Sequence, residues 1–274
     1  MRKKEILIIP SDKNLSAYKC NSFILPLKDY SIGFDTYFDI DEINKFSSFY
    51  NVSIIINKFL HKDSLENIKK ELLKLNDNIK YFFIEDFSLV NYLSKERIVL
   101  YPNHIISNYY SVNYLKELGF NNVMVSNELT IDELKTIDKN TSSNLFYMYL
   151  SKNNLMYSRR SLLSNYYENY GIKDKENNTL VNESVSNHEL LIKEESDGTL
   201  IFNNKVFCAS KYLNDLDNYN LVINMSNIDE DSKNIIIDNL DSKDLCNLID
   251  SDYYFLENKI AYKVGDLKWR NLNF

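Results

Sequence analysis

The chain has 274 residues, of which 44% are hydrophobic and 26% charged, and its formal net charge is −7. A chain of this length and composition can bury a large core, which excludes a disordered or fibrous protein. Its five glycines never cluster, which excludes the glycine-rich loops of dinucleotide-binding and Walker-type folds, and its net negative charge opposes general DNA binding.

Eight short apolar runs alternate with amphipathic segments along the chain. Runs without polar alternation are typical of strands in a parallel sheet that is covered on both faces. The predicted strands are residues 6–9, 22–25, 53–56, 81–84, 98–100, 123–125, 145–148 and 219–225, the last with its apolar centre at 221–223.

The segments between these runs begin at side chains that can cap a helix. Thr130 and Glu133 have the spacing of a capping box, and residues 111–118 form a helical segment that Gly119 closes. The other predicted helix starts are Asp39 or Asp41, Asp63 or Ser64, and Ser88.

Eight strands with helices between them indicate an α/β fold, a (β/α)8 barrel of the TIM type, whose usual size of ~250 residues matches this chain. Residues 189–210 interrupt the pattern as two strands, 189–195 and 199–208, joined by Asp197 and Gly198, a strong hairpin signal. Residues 253–256 and 260–264 predict a further antiparallel pair. A three-layer doubly wound sheet is the alternative that periodicity leaves open.

This pattern divides the chain into three expected parts. Residues 1–187 form the barrel with strands 1 to 7, residues 188–210 a β-hairpin insertion, and residues 211–274 the last barrel strand, a helix and a β-containing tail.

The three cysteines, Cys20, Cys208 and Cys246, are far apart, with no CxxC pair and no nearby histidine. We therefore expect three buried, reduced thiols and neither a disulfide framework nor a local zinc site. The basic N-terminus is followed by an apolar run too short for a signal peptide, and no stretch approaches the ~20 apolar residues of a membrane span. These features predict a cytoplasmic protein with no membrane partner.

Reactive groups of a barrel follow the C-terminal ends of its strands. Glu128 follows the sixth predicted strand, where a carboxylate could act as a general base or interact with the next helix N-terminus. Glu85 and Asp86 follow the fourth strand, where two carboxylates in one pocket would push their pKa values apart. Asn57 follows the third. No histidine is spaced for a metal or a nucleophile, so we expect no metal site and no serine-type triad.

The densest basic spot is Arg159 with Arg160, beside Tyr157 and further tyrosines. Paired arginines among tyrosines could grip phosphate and stack bases, or could pair with acidic neighbours. The tyrosine-rich composition and the net negative charge favour the second interpretation.

Successive segments of the chain resemble peptidase family U32, the collagenase-like peptidases. Asn108 falls on the family's turn asparagine, and Ser126 and Glu128 fall on the Ser and Glu of its S-R-E-L element. The second half of the family signature is matched by Tyr157, Ser158, Arg160 and Ser164. The resemblance is strongest over residues 95–167 and implies a barrel over residues 1–170.

The chain departs from the family at its cysteines. Asn154 stands at the first signature cysteine, Ser161 at the second, and Leu150-Ser151-Lys152 where the family has H-G-A. In family members four cysteines bind an iron–sulfur cluster, which needs thiolates. The resemblance therefore implies a reduced branch of the family without a cofactor.

Two hypotheses follow from this resemblance. The first is a U32-type enzyme, a hydrolase or a modification factor acting on a peptide, an RNA or a small molecule, with Glu128 and Asn108 as catalytic residues. Its expected substrate contacts at the barrel mouth are Asn57, Glu85, Ser126, Tyr157, Ser158, Arg159 and Arg160. The second is a non-catalytic paralogue that forms a heterodimer with, or regulates, a cysteine-complete family member.

Overall fold

A computed structural model describes residues 4–101, 105–182 and 188–257. In chain order its strands are β1 (Ile6–Ile9), β2 (Ser22–Pro26), β3 (Asn51–Ile56), β4 (Phe82–Ile84), β5 (Ile98–Leu100), β6 (Asn122–Met124), β7 (Asn144–Ser151), β8 (Asn154–Ser158), β9 (Asn178–Asn182), β10 (Glu189–Glu195), β11 (Gly198–Asn203), β12 (Val206–Cys208), β13 (Tyr219–Asn224) and β14 (Ser251–Asp252). Its helices are α1 (Ile40–Ser47), α2 (Lys62–Leu72), α3 (Tyr109–Glu117), α4 (Ile131–Asn140), α5 (Leu162–Asn169), α6 (Glu230–Asp238) and α7 (Leu245–Leu248).

Strands β1 to β7 and β13 form a closed parallel barrel. Each of β1 to β6 pairs in parallel with the next strand, and β13 pairs in parallel with both β7 and β1. The ring closes where Tyr219 lies opposite Leu145 and Leu221 lies opposite Ile6. The predicted TIM-type barrel is confirmed, and the doubly wound alternative is wrong because a doubly wound sheet has two open edges.

The barrel strands are apolar on both faces because each face meets a separate core. Ile55 and Phe146 point into the barrel, where they pack with the inward residues of the other strands. Their neighbours Ile54 and Tyr147 point outward and pack with the buried faces of the helices. Side chains alternate between the faces of a strand, so two buried faces leave no place for a polar alternation.

Two predicted helix starts are confirmed as capping boxes, and two others are wrong. Asp39 caps α1, and Thr130 with Glu133 caps α4. His61, rather than Asp63 or Ser64, precedes α2, and Asp63 lies in its first turn. The segment expected to form a helix from Ser88 is a 3-10 turn over Phe87–Asn91, and Asp86 caps it by accepting a hydrogen bond from the Ser88 N–H at 2.9 Å.

An antiparallel sheet is inserted between β7 and β12. Its strand order is β8-β11-β10-β9, and the predicted hairpin is its β10–β11 pair, with Glu195 opposite Gly198. The single strand expected over residues 199–208 is divided, because β11 belongs to this sheet and β12 pairs with β7. Strands β8 and β9 are not among the predicted strands, since each is a short edge strand in which polar and apolar residues are mixed and no residue is fully buried.

The C-terminal prediction is partly wrong. Tyr254–Leu256 forms a 3-10 turn rather than a strand, and the Leu256 N–H donates to the Tyr253 carbonyl at 3.0 Å. The short strand β14 pairs with β12 instead. The strand predicted at 260–264 lies outside the described residues.

The expectation of three reduced thiols is also wrong. Cys208 at the end of β12 and Cys246 in α7 form a disulfide, with their Cα atoms 5.6 Å apart. The two cysteines are separated by 38 residues, so only the packing of α7 beside β12 brings them together. Cys20 is a half-buried free thiol.

No helix within the described residues is long and apolar enough to cross a membrane.

Gly198 is required where the hairpin turns. Its φ is +143°, and a Cβ there would overlap the Ser158 carbonyl oxygen and lie 2.9 Å from the Arg159 Cα. We expect Gly198→Ala to lower the free energy of unfolding by about 2–4 kcal/mol, because backbone strain adds to overpacking. Urea unfolding measures this change.

Gly171→Ala is the matched control. Gly171 also has a positive φ of +65°, but no heavy atom lies within 4 Å of the added Cβ. It should therefore show only the backbone cost of about 1–2 kcal/mol. Equal losses in the two variants would show that the overlap with β8 is relieved without cost.

Candidate functional site

The antiparallel sheet lies across the carboxyl ends of the barrel strands. Leu200 and Phe202 of β11 pack against Ile32 in the loop that follows β2. In the same loop the Gly33 N–H donates to Glu195 Oε1 at 3.1 Å. We call this sheet the roof, because it covers the mouth where the reactive groups of a barrel are expected.

Polar and aromatic contacts join the roof to the loop after β3. Lys58 Nζ lies 2.6 Å from an Asp197 carboxylate oxygen, and the rings of Phe59 and Tyr157 stack with centroids 4.7 Å apart. Asp197 and Phe59 are about half exposed, whereas Lys58 is mostly buried. Because the Asp197 carboxylate stays in contact with water, this pair contributes only about 1 kcal/mol, so the apolar contact of β11 holds the roof more than the pair does.

A cavity of about 30 Å³ remains between the roof and the barrel. Side chains that follow the barrel strands line it, and Leu200 and Phe202 line it from the roof. The polar lining residues include Asn57, Glu85, Tyr101, Asn127 and Lys152. This volume holds roughly one water molecule and is far below the ~300–1,000 Å³ of a usual ligand pocket.

The side-chain amides that line the cavity form hydrogen bonds within the protein. Asn57 Oδ1 accepts from the Ile32 N–H at 2.9 Å, and its Nδ2 donates to the Ile32 carbonyl at 3.1 Å. Asn127 Nδ2 donates to Asn153 Oδ1 at 3.1 Å, and Ser151 Oγ donates to the same oxygen at 2.7 Å. These contacts fix the wall of the cavity.

Glu85 differs from these amides. Its backbone N–H donates to the Ile56 carbonyl at 3.3 Å, which places the residue directly beyond β4. Among the described residues its carboxylate has no hydrogen bond or ion pair, and burial alone raises its pKa to about 8. Burial and then the charge of Glu85 also raise the pKa of Tyr101 above its usual value. The cavity therefore holds a carboxyl group that changes charge near neutral pH.

The structure brings together only some of the residues predicted from the sequence. Asn57 and Glu85 line the cavity, whereas Glu128 and Asn108 do not. Asn108 caps α3, and its Oδ1 accepts from the Ser111 N–H at 3.0 Å. The Glu128 N–H donates to Oγ of the buried Ser126 at 3.1 Å. A catalytic role for Glu128 or Asn108 stays a prediction.

The basic segment lies in the roof, away from the cavity. The Tyr157 hydroxyl donates to the Asp197 carbonyl at 3.2 Å, and Ser158 Oγ accepts from the Arg160 N–H at 3.3 Å. Arg159 and Arg160 are exposed. Tyr101 was missed as a lining residue, although its position directly after β5 is the signal that would have found it.

The residues present do not fit an iron–sulfur cluster. Cys20 Sγ lies 3.5 Å from the Ile6 carbonyl at the amino-terminal end of the barrel, and Cys208 and Cys246 are bonded to each other. Asn154 Oδ1 accepts from the Met156 N–H at 3.2 Å. Three cysteines that do not converge cannot supply four thiolates. Within the described ranges no cluster of three or more His, Cys, Asp or Glu side chains could hold a metal ion.

Glu85 should make the stability of the protein depend on pH. Its pKa in the folded protein lies above the usual unfolded value of about 4.3, so the protonated carboxyl group stabilises the folded state at low pH. This stabilisation is lost as the pH rises through about 8. As the pH rises from about 5 to about 9, we expect the free energy of unfolding of Glu85→Gln to increase by about 1–3 kcal/mol relative to that of wild type. Denaturant unfolding at both pH values measures the change.

Glu117→Gln is the control, because Glu117 is exposed on α3. Any constant effect of the amide cancels between the two pH values. If Glu85→Gln followed the pH dependence of wild type, the Glu85 carboxylate would be hydrated in the folded protein.

The chain is similar to known proteins in sequence and in structure. The sequence model of peptidase family U32 matches residues 27–230. A U32 peptidase of known structure, Mk0906, is similar at 13% identity with a TM-score of 0.45, over 56% of this chain and 70% of that chain. The C-terminal domain of a "putative chitinase" from Desulfitobacterium hafniense DCB-2 is similar at 9% identity with a TM-score of 0.38, over 87% of this chain and 98% of that chain.

No curated protein matches the sequence. The family match covers more than half of the 274 residues and includes barrel strands β3 to β7 and β13 as well as the whole roof. The chain therefore belongs to peptidase family U32.

Proposed function

We propose that this chain is a U32-type hydrolase that cleaves a peptide bond at the barrel mouth, with Glu85 as the proton-transfer group. One observation carries the proposal: a carboxyl group that has no hydrogen bond or ion pair with any described residue, and whose pKa burial raises to about 8, lies at the carboxyl ends of the barrel strands. A group whose pKa is near the working pH is well suited to general acid–base catalysis. Perturbed carboxyl groups in clefts are associated with such roles.

The chemistry needs one water molecule and one carboxylate. Ionised Glu85 takes a proton from the water as its oxygen attacks the peptide carbonyl, and returns that proton to the leaving nitrogen as the C–N bond breaks. The carboxylic acid formed then loses a proton to the amine. The products are a carboxylate and a primary ammonium group, and Glu85 is again ionised.

A peptide can reach Glu85 only when the roof moves, because the cavity holds roughly one water molecule. The Lys58–Asp197 ion pair is partly exposed and costs little to break. We favour a peptide over RNA because the net charge is −7 and Arg159 and Arg160 do not line the cavity.

The second candidate function is that of a non-catalytic subunit beside a cysteine-complete family member. It is favoured by apolar side chains that are exposed on the two edge strands of the roof. The exposed fractions are 39% for Leu155, 40% for Met156, 52% for Leu180 and 37% for Val181. Under either function we propose a cytoplasmic location, with neither DNA nor a membrane as partner.

Peptide hydrolysis tests the first candidate. The purified chain is incubated with a mixed peptide library, and new termini are identified by mass spectrometry. We expect kcat/KM to rise with pH and to level off above about 8, because the base must be ionised. Glu85→Gln should lower kcat/KM by about 10²–10⁴-fold.

Three variants control this experiment. Glu117→Gln should keep the wild-type rate, because Glu117 is exposed and distant from the mouth. Glu128→Gln and Asn108→Ala test the catalytic residues predicted from the sequence. Full activity of Glu85→Gln together with loss of activity in Glu128→Gln would move the chemistry to the loop after β6.

The absence of cleavage in every peptide would contradict the hydrolase. Copurification with a cysteine-complete family member from the host would then support the subunit function. Cleavage of RNA in place of peptides would assign the same mouth to a different substrate.

A further inference from the structure

The roof ends at an edge strand, β9, whose outer side pairs with no strand of the described ranges. β9 comprises Asn178–Asn182 and pairs with β10 on its inner side. It holds no charged residue, no proline and no bulge. Its Leu180 and Val181 side chains are 52% and 37% exposed. Soluble proteins protect edge strands with charges, prolines or bulges, so an edge that lacks all three indicates a strand that pairs with another chain.

Hydrogen bonds within the roof show which backbone groups of its strands pair with which neighbour. The Glu194 N–H donates to the Asn177 carbonyl just before β9 at 2.7 Å. The Asn204 N–H just after β11 donates to the Glu189 carbonyl at 3.1 Å. Backbone bonds alternate along an antiparallel strand, so the even-numbered residues of β10 bond to β9 and the odd-numbered ones bond to β11.

This alternation turns the backbone groups of three β9 residues to the open edge. Leu180 lies opposite the odd-numbered Leu191, so the N–H and C=O of Leu180 point away from β10. The register gives the same direction to Asn178 and Asn182, which lie two positions to either side. The two residues between them bond to β10.

The sequence of β9 is self-complementary about Leu180. It reads N-T-L-V-N, with an apolar centre and an asparagine at each end. In an antiparallel pair of two copies centred there, Leu180 lies opposite Leu180, and Asn178 lies opposite Asn182 of the second copy. Each of these opposed pairs exchanges two backbone hydrogen bonds, because all of its groups face outward. A centre at Thr179 or Val181 would instead oppose groups that already bond to β10.

The side chains also match in this arrangement. Leu180 meets its counterpart on one face of the joined sheet, and Thr179 faces Val181 of the second copy on the other. Asn178 and Asn182 bring two amides together, and each amide supplies a donor and an acceptor. Since none of the five residues is charged, no like charges meet across the strands.

We infer that β9 is a homodimer interface, at which two copies of this chain join their four-stranded roofs into one continuous antiparallel sheet. A second copy fits better than an unrelated strand, because the centre of the sequence pattern coincides with a residue whose backbone groups face outward. Two strands of five residues bury less than the ~1,200–2,000 Å² of a stable complex, so the dimer is weak and depends on concentration. Salt strengthens it by screening the repulsion between two chains of charge −7.

Disulfide cross-linking tests the interface together with its register. Each variant is made in a Cys20→Ser background, because Cys20 is the free thiol of the chain, and is oxidised with glutathione disulfide. Leu180→Cys should cross-link to itself, since opposed Cα atoms of a hydrogen-bonded pair lie about 5.5 Å apart and a disulfide spans about 4.4–6.8 Å.

Val181→Cys is the matched control, because Val181 lies diagonally from its own copy, at about 7–8 Å. On its own it should stay a monomer under the same oxidation. Mixed with Thr179→Cys chains it should cross-link, since these two positions are opposed in the proposed register.

Sedimentation equilibrium measures the dimer without a cross-link. The average mass of the wild-type chain should rise with concentration, and more steeply at high ionic strength. Leu180→Lys should weaken association by about tenfold, because it places two like charges opposite each other in place of an apolar pair. Leu155→Lys is the control on β8, the other edge strand of the roof, where Leu155 is 39% exposed, and it should associate as wild type does.

The outcomes decide between this interface and others. A wild-type mass that stays monomeric at every concentration, with no cross-link in Leu180→Cys, overturns the inference. Equal self-cross-linking of Val181→Cys and Leu180→Cys overturns the two-fold register. Association that survives Leu180→Lys but is lost in Leu155→Lys overturns it in favour of β8. None of these results depends on whether the chain cleaves peptides.

Discussion

The packing of Leu200 and Phe202 against Ile32 is the contact on which the candidate site depends. Without it, the carboxyl ends of the barrel strands would open to water and Glu85 would be an ordinary hydrated carboxylate. With it, Glu85 lies in a cavity that holds roughly one water molecule, while the side-chain amides around it stay hydrogen-bonded within the protein. The roof thus changes the acidity of a residue that belongs to the barrel.

The barrel could be predicted from the sequence, because each strand is buried on both faces and therefore reads as a continuous apolar run. The capping boxes of α1 and α4 are equally local, since their hydrogen bonds join residues three positions apart. What could not be predicted depends on distant pairs. Cys208 meets Cys246 only after α7 packs, and Glu85 becomes enclosed only because β11 crosses above it.

Two of the site residues predicted from motifs lie outside the cavity. Asn108 and Glu128 match family motifs, yet Asn108 bonds to the start of α3 and neither residue lines the cavity. Asn57 and Glu85, which were predicted because they directly follow buried strands, do line the cavity. This chain keeps the barrel, and the side chain of Glu85 lines the cavity at its mouth.

Strand β7 has a further consequence for how the roof is attached. The chain leaves the barrel after Ser151 and returns through β12, where Phe207 lies opposite Ser151. The two segments that connect the barrel to the roof therefore lie side by side. The disulfide of Cys208 with Cys246 joins the second of them, β12, to α7. The roof is thus covalently joined to the barrel along one side. Its opposite end contacts the barrel through the side chains of Lys58 and Phe59. Under the proposed function, a peptide would enter from the β3 side of the barrel, and the attachment of the roof beside β7 would stay in place.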